Sequence, residues 1–318
     1  MKIAVLTSGG DAPGMNAAIR AVVRTSIYNN IEVFGVQYGY SGLIEDKIMP
    51  LDIFSVADKI QRGGTFLYTA RCKEMFQADG VKKAADTLKK HDIDGLIVIG
   101  GDGSFLGAKA LSKYGINVIG IPGTIDNDIT STDYTIGFDT ATNTVIDAIS
   151  KIRDTSHSHN RVNIVEVMGR RSGNLALAAG IAGGAEAIIV PEMEYSVEAV
   201  IEKMTKGKDR GKLHSIVVFA EGAGDLKLFT QRIKSKTDIE TRTTILGYIQ
   251  RGGSPTAFDR ILASRMGSMA VELLINGKCN KVVCIRDNKY IDVDIDEALA
   301  IPYMFDKETY EVAMQLSI

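Results

Sequence analysis

Asp94-Gly95-Leu96-Ile97-Val98-Ile99-Gly100-Gly101-Asp102-Gly103-Ser104 is the stretch on which the fold turns. Four consecutive apolar residues stop at a glycine-rich turn, and Phe105 to Tyr114 continues with helical spacing. An unbroken apolar run, rather than an alternating one, predicts a strand buried on both faces. The amino terminus repeats the theme. Ile3 to Leu6 ends at Thr7-Ser8-Gly9-Gly10-Asp11, and Pro13-Gly14 opens a segment carrying Met15, Ala18, Ile19, Val22 and Val23 on one helical face. Val118-Ile119-Gly120-Ile121 is a third run, closed by Pro122-Gly123-Thr124-Ile125-Asp126-Asn127-Asp128. Further runs lie at 162–167, 188–190, 216–220 and 243–246, with helix-like stretches between them. Strands and helices taking turns mean βαβ units with right-handed crossovers, so the chain is an α/β protein.

The chain has 318 residues, about two domains' worth. Hydrophobic residues are 45% and charged residues 24%, which excludes a disordered tail and a coiled coil. Glycine is 32 and proline only 6, placing the glycines at turns of a packed fold rather than in loose loops. No apolar stretch reaches the roughly 18–20 residues of a membrane helix, and Met1 leads straight into a strand with no cleavable signal. The net charge of −2, without basic stretches interleaved with aromatics, argues against nucleic acid and anionic lipid as partners. Cys72, Cys279 and Cys284 form neither a CxxC pair nor an even disulfide set, which suits a reducing cytoplasm. His157 and His159 lie two apart in a polar run, read as surface residues rather than zinc ligands.

In open α/β sheets ligands bind beyond the carboxyl ends of the strands, where this sequence gathers its unusual residues. Gly9-Gly10-Asp11, Gly100-Gly101-Asp102 and Gly222-Ala223-Gly224-Asp225 each follow an apolar run. Glycine lets backbone amides approach an anion, and a following helix offers its positive end. Neither GxGxxG nor GxxxxGK[ST] occurs, which disfavours a nicotinamide enzyme and a Walker-type NTPase. Asp102, between glycines, is placed to hold magnesium, which takes one or two carboxylates plus substrate phosphates. Asp126 and Asp128, two apart in an extended segment, would point the same way and share a metal or act as base and orienting group. An Asx-turn with a helix cap is the plainer alternative. Arg71, Arg161, Arg170, Arg242 and Arg251 fall near strand ends, where guanidinium groups capture phosphoryl oxygens in pairs; any one alone is equally a surface arginine. Together these residues point to phosphoryl transfer, in which positioning and charge neutralisation dominate.

Thr7-Ser8-Gly9-Gly10-Asp11-Ala12-Pro13-Gly14-Met15-Asn16, Gly100–Ser104, Pro122–Asp128, Met168-Gly169-Arg170 and Gln250-Arg251-Gly252-Gly253 resemble, in order and over essentially the whole chain, the bacterial ATP-dependent 6-phosphofructokinases. The resemblance implies two doubly wound, Rossmann-like parallel-sheet domains with the active site in the cleft between them. It implies an ATP-binding domain of 1–138 plus 251–300 and a sugar-phosphate-binding domain of 139–250 plus 301–318. The long helical pattern from Asp139 to Asp154 and the segment at Arg251–Pro255 are the expected connectors. It further implies transfer of the γ-phosphoryl of MgATP to the 1-hydroxyl of fructose 6-phosphate in a cytoplasmic homotetramer. By resemblance Asp126 takes the hydroxyl proton, with Thr124 and Arg170 as the other catalytic positions, and Asp102 holds magnesium. Gly10, Arg71, Cys72, Gly101, Gly103 and Ser104 would meet ATP. Thr124, Ile125, Asp126, Met168, Gly169, Arg170, Glu221, Tyr248 and Arg251 would meet the sugar phosphate, with Arg161 and Arg242 reaching the one bound by a neighbouring subunit. An aspartate with an ordinary pKa near 3.9 is ionised at neutral pH and able to accept that proton.

Two small positions bear on the phosphoryl donor. Pyrophosphate-dependent relatives carry Asp where this chain has Gly103 and Lys where it has Gly123, so two glycines favour ATP. A catalytically silent, nucleotide-binding regulatory subunit would be expected to lack Asp126, Asp102 or Arg170, and all three are present. Tyr248 stands where the family commonly has a histidine. For the effectors ADP and phosphoenolpyruvate, the resemblance implies a site of Arg20, Arg24, Asp58, Arg153, Gly184, Glu186, Arg210, Lys212 and His214. Ile53 and Leu213 replace an Arg and a Lys common in relatives, so a blunted effector response is expected.

Overall fold

The structure is a computed structural model that describes residues 1–212 and 214–317; Leu213, one of the two effector-site departures, lies outside them. The chain divides into two compact units. The first comprises Met1–Ile125, Ile129–Thr140 and Arg251–Tyr303, and the second Asp126–Asp128, Ala141–Gln250 and Met304–Ile318.

The first unit begins β1 (Lys2–Thr7), α1 (Met15–Tyr28), β2 (Glu32–Val36), α2 (Gly39–Ile44), β3 (Ile48–Leu51), α3 (Ala78–Lys90), β4 (Gly95–Gly100), α4 (Asp102–Ser112), β5 (Asn117–Thr124) and β6 (Ile136–Gly137). Helix α5 (Phe138–His159) leaves it. The second unit follows with β7 (Val162–Val167), α6 (Asn174–Ala182), β8 (Ala187–Ile189), α7 (Val197–Asp209), β9 (Ser215–Ala220), α8 (Leu226–Lys236) and β10 (Thr241–Ile245). The chain then returns to the first unit through α9 (Ala257–Ile275), β11 (Lys281–Arg286), β12 (Lys289–Asp294) and α10 (Ile295–Ala300), and α11 (Lys307–Leu316) ends it in the second.

The first sheet runs β12-β11-β5-β4-β1-β2-β3, with β6 beside β5. Its centre is parallel: β1 pairs with β2 on one side and β4 on the other, and β4 with β5. The direction of strand addition therefore reverses between β1 and β4, and the crevice at such a switch point is where doubly wound folds bind ligands. Ile3 to Leu6 of β1 are fully buried and so is all of β4, as the unbroken apolar runs predict. The doubly wound parallel arrangement is as expected, with antiparallel strands β3 and β12 added at its edges. Both are edge strands and more exposed than the central ones. The second sheet, β10-β7-β9-β8, is parallel throughout. Its core packs Phe219, Phe229 and Ile233 against Val162 and Ile164. Among the described residues no helix is long and apolar enough to cross a membrane.

Candidate functional site

The helices differ in how their first turns are capped. Helices α7, α8, α9 and α11 are capped by Ser196, Asp225, Thr256 and Asp306, whose side chains accept the first free amides. Helices α1, α4 and α6 follow β1, β4 and β7, and begin at Gly14, Gly101 and Gly173 with no side-chain cap. At α1 and α4 a glycine start leaves backbone amides for an outside anion, and the helix dipole adds positive potential there. At α6, by contrast, Gly173 N donates to Glu192 Oε1 and Asn174 N to Ser172 Oγ.

In the first unit the two central turns are tied together. Ser8 N donates to Ile99 O (2.9 Å), and the Ser104 hydroxyl donates to Ser8 O (3.1 Å) while Tyr40 Oη donates to Ser104 O (2.6 Å). Ser104, expected beside the nucleotide, is thus buried with its hydroxyl committed to the neighbouring turn. The Arg251 guanidinium lies over Gly10. A Cβ would meet Arg251 Nη1 at 2.3 Å, and that nitrogen donates to Asp11 O at 3.0 Å. The segment leading to Arg71 and Cys72 is fastened by buried Asn16, whose amide donates to the carbonyls of Arg62 and Gly63 and accepts from Phe66 N (2.9 Å). Arg71 is exposed and Cys72 half-buried. Around Gly101 and Gly103 the ground is open, since a Cβ at either would meet nothing within 4 Å. Packing inside the protein does not require glycine at either position. Asp102 is exposed in the first turn of α4, between them. Thr124 ends β5, its carbonyl accepting from Thr135 Oγ1 (2.6 Å), and Ile125 is fully buried behind it.

In the second unit Asp126 is 8% exposed. The alternation that would set Asp126 and Asp128 side by side does not apply, because Asn127 lies between them at φ 47. The Asn127 carbonyl accepts from Asn174 Nδ2 at 2.7 Å, which fixes this left-handed kink against α6. Burial pushes the Asp128 carboxyl above its ordinary pKa, partly offset by its own backbone amide and by Arg170. The Met168-Gly169-Arg170 turn is braced from two directions. Glu221 Oε1 accepts from Gly169 N (3.2 Å) and Arg170 N (2.6 Å), and fully buried Gln250 accepts from Met168 N through Oε1 (3.1 Å). Arg170 sits at φ 58 with its side chain exposed, and a Cβ on Gly222 would strike its carbonyl at 2.4 Å. Burial, and then Glu221, raise the pKa of Glu166 at the end of β7. Tyr248 projects with 82% exposure. Arg161 and Arg242 meet at one carboxylate, Glu240, at 2.9 and 2.7 Å.

The residues expected to bind effectors divide between the units. Arg153 donates to the Gly183 and Gly184 carbonyls (2.7 and 2.8 Å), and Lys212 Nζ lies 2.6 Å from Glu186 Oε1 with Arg153 Nη1 at 3.6 Å. His214 joins them, its pKa lowered by burial and by His157, whose ring stands 5.1 Å away edge to face. Arg210, at the end of α7, is exposed. Arg20, Arg24 and Asp58 belong to the first unit, where burial and the Arg24 charge lower the pKa of Arg20; Ile53 there is 46% exposed. Among the described residues no group of three or more His, Cys, Asp or Glu could hold a metal by itself.

A family profile described as Phosphofructokinase matches residues 2–274. An ATP-dependent 6-phosphofructokinase of Clostridium botulinum is 61% identical over 315 residues, 99% of each chain, and one of Clostridium novyi is 60% identical with the same coverage. Among solved structures, the phosphofructokinase of Saccharomyces cerevisiae superposes with a TM-score of 0.87 at 35% identity, over 99% of this chain and 46% of the yeast chain. A pyrophosphate-dependent phosphofructokinase of Marinobacter aquaeolei, at 23% identity and a TM-score of 0.85, shares the fold.

Proposed function

The chain belongs to the phosphofructokinase family, and from that membership we propose that it transfers the γ-phosphoryl group of MgATP to the 1-hydroxyl of fructose 6-phosphate, giving fructose 1,6-bisphosphate and ADP. It is a glycolytic kinase of the cytoplasm. In the first unit the uncapped starts of α1 and α4, with Gly10, Gly101, Gly103, Arg71 and Cys72, receive the nucleotide. In the second, Asp126 accepts the hydroxyl proton while Arg170, presented by the braced 168–170 turn, holds the sugar phosphate, and Arg161 and Arg242 reach the one bound by a neighbouring subunit. Asp102 offers one exposed carboxylate, which fits magnesium, an ion that draws its remaining oxygens from water and phosphate. Bound there, magnesium would neutralise charge on the transferring phosphoryl oxygens. ADP and phosphoenolpyruvate act through the Arg153, Glu186, Lys212 and His214 cluster in a homotetramer, with a response blunted by Ile53.

The observation that carries ATP over pyrophosphate is the open space at Gly103, where a Cβ would meet no protein atom within 4 Å. At Gly123 the space is tighter, since a Cβ would lie 3.0 Å from Ile99 Cγ2, which would have to give way slightly. Position 103 is therefore the one that can be exchanged without disturbing the core. Gly103→Asp is expected to fold, because an acid in the first turn of α4 suits the helix dipole. Its KM for ATP should rise by about 10- to 100-fold, the effect of one uncompensated charge against the nucleotide phosphates. Steady-state kinetics with ATP measure this, and an unchanged KM would remove the nucleotide from position 103.

Tyr248 gives a second expectation. A tyrosine hydroxyl donates one hydrogen bond but bears no positive charge. The KM for fructose 6-phosphate should therefore depend less on pH between about 6 and 7 than in relatives with a histidine there, which would titrate in that range. A kinetic titration step in that range that vanished in Tyr248→Phe would refute it.

A further inference from the structure

Glu240 has no part in the chemistry proposed above, yet both arginines at this end of the second sheet are spent on it. The register explains how. Strand β10 pairs with β7 with Thr241 opposite Val162, and Val162 N donates to Glu240 O at 3.0 Å, so Arg161 and Glu240 enter the sheet side by side. Strand alternation then returns Arg242 to the face of Glu240. Arg242 donates to Glu240 Oε1 through Nη2 (2.7 Å) and Nε (3.1 Å), and Arg161 Nε lies 2.9 Å from Oε2. The Arg161 contact is electrostatic rather than aligned. Its buried Nε–H finds no hydrogen-bonding acceptor among the described residues, although the carboxylate is so near. One carboxylate thus occupies two guanidinium groups, leaves a net positive charge, and leaves a donor unsatisfied.

The geometry points to Glu240 as an internal stand-in for a phosphoryl anion: it holds the Arg161–Arg242 pair while the site is empty and is displaced when a sugar phosphate arrives. This rests on the reading that the pair binds the sugar phosphate. A phosphomonoester brings nearly two charges and three acceptor oxygens, which matches two guanidinium groups better than a carboxylate does. Arg161, and after it Arg242, hold the Glu240 carboxyl below the usual carboxylate range against a partial desolvation that raises it, so the competitor remains charged at neutral pH. Release costs Glu240 little, because its side chain is already 46% exposed. It also has somewhere to go. A cavity of about 320 Å³ lies beside it, lined by Asn160, Lys208 and Lys212 as well as by Glu240 itself.

Glu240 is therefore a residue that sets affinity rather than rate. The test compares wild type, Glu240→Gln, Glu240→Ala and Arg161→Ala, each checked for folding by circular dichroism. The readouts are kcat and half-saturation for fructose 6-phosphate at saturating ATP, and calorimetric binding of fructose 6-phosphate without ATP. Both Glu240 variants should lower half-saturation and Kd by about three- to ten-fold, the effect of freeing two part-exposed ion pairs, with kcat within about two-fold of wild type. Arg161→Ala should raise both constants. If Arg161→Ala does so but the Glu240 variants leave them unchanged or raise them, Glu240 positions the arginines instead and the stand-in is overturned. If Arg161→Ala leaves both constants unchanged, the arginine pair does not bind the sugar phosphate, and the underlying reading falls together with the stand-in.

Discussion

Asp126→Asn should lower kcat by about 10²–10⁴, the usual worth of a positioned general base, while KM for either substrate moves much less. Asparagine keeps the size of aspartate, so the buried position tolerates it sterically, but its amide cannot take the proton of the attacking hydroxyl. The kink that places residue 126 is set by backbone, through Asn127 at φ 47 and the Asn174 bond to its carbonyl, and neither uses the Asp126 side chain. Asp126→Ala should show a loss of the same order. A purified variant with intact circular dichroism and near-normal turnover would take the base role away from Asp126.

Replacing Asp259 should produce the largest loss of stability. It lies in α9 with 0% exposure, and accepts from Gly137 N (2.9 Å), Thr140 N (2.8 Å) and Thr140 Oγ1. These donors belong to the segment that closes β6 and opens α5, so one carboxylate joins the returning helix to the start of the connection between units. Burial raises its pKa while the Thr140 and Gly137 bonds pull it back down. Asp259→Ala strands three donors in the interior and should cost about 3–5 kcal/mol, with Asp259→Asn about 2–3 because a single amide oxygen remains to accept. The first transition in urea, followed by far-ultraviolet circular dichroism, measures the loss. A cost below about 1 kcal/mol for Asp259→Ala would mean that those donors find other partners.

Much of the fold is legible in the sequence because the central strands are buried on both faces. Leu96 to Ile99 and Ile3 to Leu6 carry no polar residue, and the glycine turns that end them mark the strand exits at the β1/β4 switch point. The antiparallel edges are not marked in this way. The six residues of β12, Lys-Tyr-Ile-Asp-Val-Asp, are exposed or half-buried and mostly polar, and they pair only because β11 precedes them through a tight turn at Asp287-Asn288, both at positive φ. At the site, residue types announce anion chemistry, but the bracing does not announce itself. Gln250 reads as part of a motif, and its role in holding the Met168 amide exists only once the chain has travelled 82 residues. Asp259, in the first turn of α9, looks like a surface acid at a helix start until its partners 119 and 122 positions away are brought to it. Short-range pattern also misleads at 126–128, where the left-handed Asn127 breaks the alternation that extended backbone would impose.

The most direct measurement is a coupled assay of the purified protein with fructose 6-phosphate and magnesium, run once with ATP and once with pyrophosphate as donor. Fructose 1,6-bisphosphate should form with ATP and stay at background with pyrophosphate. Product formed with pyrophosphate, or with neither donor, would contradict the assignment of the open turn at Gly101–Gly103 to a nucleotide.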